Sequence, residues 1–214
     1  MDPVKRPGPE AMAVDEWLLE TATAPVLRVY RWLGDWATVG YFGDLLQAQH
    51  TLPGVEWVRR WTGGGVVDHR SDWTYTVVAP NGEPLAKWRG AESYRRIHCV
   101  LVEALRAERG GVRMSAGEEQ TGTALCFENP VNHDLVDDDG RKLAGAGQRR
   151  TRQGLLHQGS VAAACNEAVS RTRAEALASG LAAAWEVHDF QAPEAVISRL
   201  ARERYANPAW TGRR

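Results

Sequence analysis

Apolar positions recur along this chain with one of two periods. Residues 91–107 carry the clearest helical period: Tyr94, Ile97, Leu101, Ala104 and Leu105 form one stripe, and Gly110-Gly111 ends it. Ala11, Val14 and Leu18 give a second helix over 11–22, closed by Pro25. Helices are also expected over 44–50, 174–185 and 193–205. A period of two marks the strands. Over 26–32 it sends Val26, Arg28, Tyr30 and Trp32 to one side and Leu27, Val29 and Arg31 to the other. Further strands are expected over 37–42, 55–58, 73–78, 141–150 and 154–163, with shorter extended pieces at 112–114, 124–127 and 131–136. Gly34-Asp35, Pro80-Asn81-Gly82 and Asp137-Asp138-Asp139-Gly140 supply turns between them. Strands and helices mix without regular alternation, which predicts an α+β fold: mixed, largely antiparallel sheets packed with helices. Residues 1–10, rich in proline and charge, read as a flexible tail. No composition break divides 11–214, so a single domain is expected.

Composition narrows the function more than the fold. The 214 residues suffice for a real core, and 43% hydrophobic with 25% charged residues is ordinary for a globular protein. A formal net charge of -1 argues against a general electrostatic grip on nucleic acid or an acidic membrane surface. Three cysteines without paired close spacing suggest neither a disulfide framework nor a zinc site. No signal-peptide core or bilayer-length apolar run is present, so a cytoplasmic location is expected.

Three stretches are dense in chemistry. In Arg59-Arg60-Trp61-Thr62-Gly63-Gly64-Gly65-Val66-Val67-Asp68-His69, two arginines and three glycines lie between strand-like runs. Consecutive glycines let a backbone turn tightly or approach a ligand, and arginines beside them offer charge to an anion; a plain turn is the alternative. In the second stretch, 140–150, Lys142 precedes small residues and reads either as an ammonium donor to a carbonyl or phosphate oxygen or as a solvated strand lysine. The third is Leu155-Leu156-His157-Gln158-Gly159-Ser160-Val161, where His157 either positions a ligand or is a satisfied structural histidine. Cys126 stands where a strand meets a loop. On spacing alone it is a small buried hydrophobe; as a nucleophile it would need positive charge nearby.

Taken together, these stretches resemble the lipoate–protein ligase and octanoyltransferase family, which shares its catalytic fold with biotin–protein ligase. Ala11-Met12-Ala13-Val14-Asp15-Glu16 resembles the family's first helix. The 59–69 stretch resembles its Arg-Arg-x-x-Gly-Gly-Gly-x-Val-x-His lipoyl loop. Arg141-Lys142-Leu143-Ala144-Gly145-Ala146-Gly147-Gln148 resembles its Arg-Lys-x-x-Gly-x-Ala-Gln segment, with Gly147 in place of alanine, and Leu156-His157-Gln158-Gly159-Ser160 its His-(His/Gln)-Gly-(Ser/Thr) strand. Cys126-Phe127-Glu128-Asn129-Pro130 resembles the Cys-Phe-x-x-Pro of the cysteine-dependent octanoyltransferases. Trp210 resembles that branch's terminus, and no ligase accessory domain is expected after it.

The resemblance implies a biotin/lipoate protein ligase-like catalytic domain that transfers octanoyl or lipoyl from acyl carrier protein to one lysine of a lipoyl carrier domain, through a cysteine thioester. That acceptor would be the glycine cleavage H protein or the E2 component of a 2-oxoacid dehydrogenase. It implies Cys126 and Lys142 as catalytic residues and Arg59, Arg60, Gly63, Gly64, Gly65, His69, Gly145, Gln148, His157 and Gly159 as substrate-binding residues. No metal and no cofactor are expected for the transferase; ATP and Mg enter if the chain is instead an ATP-dependent lipoate–protein ligase forming a lipoyl-adenylate. A non-catalytic acyl- or carrier-domain-binding protein is the third reading. No nucleic-acid or membrane partner is expected, and the protein is expected to be a monomer.

Overall fold

Two sheets organise the chain, whose computed structural model describes residues 2–88, 90–123, 128–163, 166–188 and 191–213. In chain order the elements are α1 (Gly8–Thr21), β1 (Val26–Tyr30), β2 (Trp36–Val39), α2 (Leu45–Thr51), β3 (Glu56–Arg59), β4 (Val67–Asp68), β5 (Trp73–Pro80), α3 (Pro84–Lys87), α4 (Ala91–Arg109), β6 (Arg113–Met114), β7 (Leu135–Val136), β8 (Lys142–Arg150), β9 (Gly154–Val161), α5 (Glu167–Leu181), α6 (Glu194–Leu200), a π-helical turn (Ala201–Tyr205) and α7 (Pro208–Thr211). The large sheet runs β1-β5-β9-β8-β7-β6, every pair antiparallel; the small one runs β3-β2-β4, with β2 and β3 parallel.

Alternation along the central strands divides the interior into two cores. Trp73, Tyr75, Val77 and Ala79 of β5, with Leu155 and Val161 of β9, meet Ile97, Leu101, Val102 and Leu105 of α4 and Leu177 of α5. Val78 and Leu156 turn the other way and meet Ala11, Val14 and Leu18 of α1, with Ile197 of α6 and Tyr205. The apolar stripe of α4 is thus its buried face. Gly110, at φ 65°, closes the helix as its spacing predicted.

Several expectations are corrected. Within the stretch expected to be a loose tail, Asp2 and Arg6 are buried, and the helix already begins at Gly8. The cause is buried charge. Asp2 pairs with Arg28 at 2.8 Å, Arg28 with Asp15 at 2.7 Å, and Arg6 with Glu194 at 2.7 Å. The helix expected over 174–185 is α5, which begins at Glu167 under the Asn166 cap. Of residues 131–136 only Leu135–Val136 is strand. The extended piece expected at 124–127 lies outside the described residues.

One irregularity positions the site. Leu135 pairs with Ala144, but Val136 pairs with Lys142, so Leu143 is an extra residue in β8. Leu143 and Ala144 both enter the α4 core. Lys142 is thereby turned onto the opposite, α1-facing side, where its Nζ stands over Gly145: a Cβ there would lie 2.7 Å away.

Candidate active site

On the α1 side, a cleft of about 440 Å³, counted to its open mouth, lies between the large sheet and the β2/β4 edge of the small one. Met12, Trp32, Arg60, Gly64, Val67 and His69 are among its walls, with Gly145, Ala146, Gly147 and Gly159 as its strand floor. The glycine loop closes one flank by backbone contact: a Cβ on Gly147 would meet the Gly63 carbonyl oxygen at 2.4 Å and Thr62 Oγ1 at 2.9 Å. The glycine at 147 therefore seats the loop.

Arg60 pins that loop from within. Its Nη2 donates to the carbonyls of Gly63 (3.1 Å) and Gly65 (2.9 Å), and its Nη1 to Thr38 Oγ1. Spending its hydrogen on His69 Nε2, 2.8 Å away, the Thr38 hydroxyl leaves Nδ1–H of His69 to donate to Asp72 at 2.7 Å. Asp72 also accepts from Thr74 and Ser160, and the Trp32 ring stacks on His69 at 4.2 Å. His69 is thus fixed in tautomer and plane at the cleft wall.

Lys142 is buried at the same floor, its Nζ donating to Asp134 at 2.5 Å. Asp134 is itself held: its carboxylate accepts from Val131 N–H at 2.9 Å, and its carbonyl from Ser115 N–H at 2.7 Å. Below α1, Asp15 gathers Arg28, Tyr30, Thr76 (2.8 Å) and Gln158 (2.7 Å), and Thr62 of the glycine loop donates to Gln158 at 2.7 Å. The loop is therefore wired to the first helix. Asp15, Asp72 and Asp134 carry these arrangements and were not singled out from the sequence. A charged residue directly after the apolar run 11–14 and an acid three residues after His69 were the available signals; nothing local marks Asp134.

Three expected ligand contacts lie elsewhere. Arg59 donates not into the cleft but to six backbone carbonyls, of Gly40, Tyr41, Gly43, Trp210, Thr211 and Arg213. Burial, with Arg213 nearby, lowers its pKa. By strand alternation His157 and Gln148 face α4. Gln148 Nε2 donates to His157 Nδ1 at 2.9 Å, Ser93 donates to Gln148 at 2.8 Å, and Tyr75 OH lies 3.2 Å from His157 Nε2. Burial holds the pKa of His157 well below the usual histidine value. Gly159 contributes backbone to the cleft and leaves room for the Tyr75 ring behind it. The expected nucleophile, Cys126, lies outside the described residues.

Among the described residues no helix is long and apolar enough to cross a membrane. The family profile of the lipoyl protein ligase A/B catalytic domain matches residues 7–198. The chain is 35% identical over 168 residues to octanoyltransferase LipM of Moorella thermoacetica, covering 72% of this chain and 61% of that one. It is 31% identical over 167 residues to octanoyltransferase LipM of Staphylococcus aureus, covering 70% and 60%. It thus spans about three fifths of the length of these curated relatives. Among solved structures, a putative lipoate protein ligase from T. acidophilum with bound lipoic acid superposes with a TM-score of 0.76 at 17% identity, over 98% of this chain and 95% of that chain. Lipoate-protein ligase A bound with ATP gives 0.76 at 18%, over 98% and 96%. At such identities the likeness carries the fold, while the profile match carries membership: the chain belongs to the lipoyl protein ligase A/B catalytic domain family.

Proposed function

We propose that this protein is an acyltransferase that moves an octanoyl or lipoyl group from acyl carrier protein, through a thioester on Cys126, to one lysine of a lipoyl carrier domain. The observation that carries the reading is the buried Lys142 ammonium, gripped by Asp134 over Gly145 at the floor of a narrow cleft. The Cys126 thiolate attacks the donor's thioester carbonyl. A new C–S bond forms, the carrier's C–S bond breaks, and the carrier leaves as a thiol after gaining a proton. Lys142 supplies positive charge to the oxyanion that develops. The neutral amine of the acceptor lysine then attacks the same carbon, Cys126 departs as thiolate, and the nitrogen sheds one proton. Closure of the glycine loop keeps water from the thioester. Similarity to octanoyltransferases LipM supports an octanoyl donor. The transferase route needs no cofactor.

Intact-mass analysis tests this. After incubation with octanoyl-acyl carrier protein, the wild type is expected to carry one octanoyl group and Cys126→Ala none. Acylation of the lipoyl domain that requires ATP and survives Cys126→Ala would replace the reading with a lipoate–protein ligase. Tight carrier binding without modification under either condition would indicate a non-catalytic binding protein.

A further inference from the structure

Outside the glycine loop, three guanidinium groups and three aromatic rings alternate in a closed circle. Arg149 lies 4.7 Å from the Trp61 ring centre and 5.0 Å from that of Tyr41. Arg204 lies 4.8 Å from Trp61 and 5.2 Å from Trp210. Arg213 closes the circle, 4.3 Å from Tyr41 and 5.2 Å from Trp210. The charges are not balanced. Arg204 pairs with Glu16 at 2.5 Å, but the guanidinium groups of Arg149 and Arg213 make no hydrogen bond or ion pair with any described residue, and Arg149 Nε is buried without a partner. Stacking holds each guanidinium against its rings, and the N–H edges of Arg149 and Arg213 are directed at no acceptor among the described residues. Beside the circle, Phe42 is 86% exposed and packs its ring edge on Tyr41.

The circle borders the loop that closes the cleft. Trp61 belongs to that loop, Tyr41 N–H donates to the Thr62 carbonyl at 2.9 Å, and Arg149 follows two residues after Gly147, where the loop is seated. Lys142 is seven residues back along β8, roughly 23 Å away at strand rise.

We infer that this circle is the docking surface for the acidic face of the acyl-donor protein, an inference that rests on the acyl-transfer reading of the cleft. Preset guanidinium edges suit carboxylates, which they bind in two-pronged pairs. The three rings and Phe42 supply the aromatic centre that such interfaces favour. The donor fits this place better than the acceptor. It must feed its chain past the glycine loop, which the circle flanks, whereas the acceptor need only bring an amine to the carbonyl held near Lys142.

The experiment compares loading of Cys126 from octanoyl-acyl carrier protein and from the small neutral thioester octanoyl-N-acetylcysteamine. Arg149→Glu with Arg213→Glu is expected to raise KM for the carrier about ten-fold or more and to flatten its salt dependence, while loading from the small thioester stays within about two-fold. Should the double variant fail to fold, Arg213→Gln, which keeps the carbonyl that Arg59 uses, is expected to raise the carrier's KM about three-fold. An unchanged carrier KM, an equal loss with the small thioester, or an effect confined to the lipoyl-domain step overturns the assignment. A change of oligomeric state in place of KM gives the surface to a second copy of the chain. If the wild type loads from neither thioester, the acyl-transfer reading has failed. Calorimetric binding of the carrier then judges the docking surface separately: binding lost in Arg149→Glu supports it, and binding retained refutes it.

Discussion

The two faces of the large sheet treat buried polarity in opposite ways. On the cleft face buried ion pairs dominate, Lys142 with Asp134 and Arg28 with Asp2 and Asp15, and His69 hydrogen-bonds to Asp72. On the α4 face the polar groups along the central strands are joined by neutral hydrogen bonds, and the pair of buried Arg173 with Glu108 lies further out, where α5 meets α4. His157 meets Gln148 and Tyr75, and His98 lies at Nδ1 against the His133 carbonyl. Burial lowers the pKa of both histidines and pushes the Tyr94 hydroxyl up to about 12. Ion pairs thus hold most of the buried polarity beside the cleft, while hydrogen bonds between uncharged partners hold it along the strands of the opposite face.

Four measurements would break or sharpen that contrast. Asp15→Ala strips Arg28, Thr76 and Gln158 of a shared buried acceptor. It is expected to cost about 3–5 kcal/mol in urea unfolding, and a cost below about 1 kcal/mol would mean that the cleft face does not depend on its ion pairs. Lys142→Ala should lower kcat by about 10²–10³-fold, read as octanoyl transfer by the folded protein; undiminished turnover would remove this face as the reactive one. His157→Leu strands Gln148 and Tyr75 and should cost about 1–3 kcal/mol, yet leave acyl transfer by the folded fraction close to wild type. His69→Leu strands Thr38 and Asp72 and should cost a similar amount, but it should also lower acyl transfer by the folded fraction; exchanged effects on transfer would swap the two faces.

The smallest effect is in pH. His98 and His157 have folded pKa values below the unfolded value of about 6.5, so the unfolded chain takes up protons first as pH falls. Their stabilisation is complete above about 6.5 and declines below it, by at most about 1.4 kcal/mol per pH unit per histidine. His157→Gln should flatten unfolding free energy between about pH 6.5 and 5; an unaltered slope would mean that this histidine charges as freely folded as unfolded.

How far the chain could be read without coordinates follows the same division. The strands expected over 141–150 and 154–163 and the helix expected over 91–107 are found at Lys142–Arg150, Gly154–Val161 and Ala91–Arg109; the helix was legible from the period of its buried stripe, whereas the last strand is buried on both faces. Of the residues that stood out in the sequence, Arg60, Gly64, His69, Gly145 and Gly159 line one cleft, and Lys142 lies beside Gly145. Arg59 and Arg60 look equivalent in sequence, yet the strand pleat turns neighbours opposite ways, and the carbonyls of Trp210, Thr211 and Arg213 that receive Arg59 lie some 150 positions along the chain. His157 carries the motif's histidine but sits one register step from Gln158, which faces the cleft. Local pattern records neither distant carbonyl acceptors nor which side of a sheet a ligand will choose.

The extra residue at Leu143 makes the location of one positive charge a matter of counting. Were Leu143 taken into the regular ladder, so that Val136 paired with it instead of with Lys142, the lysine would fall on the same side of the sheet as Ala144 and face the α4 core. Which residue meets Val136, more than which side chain fills the bulge, thus decides the face that receives the ammonium.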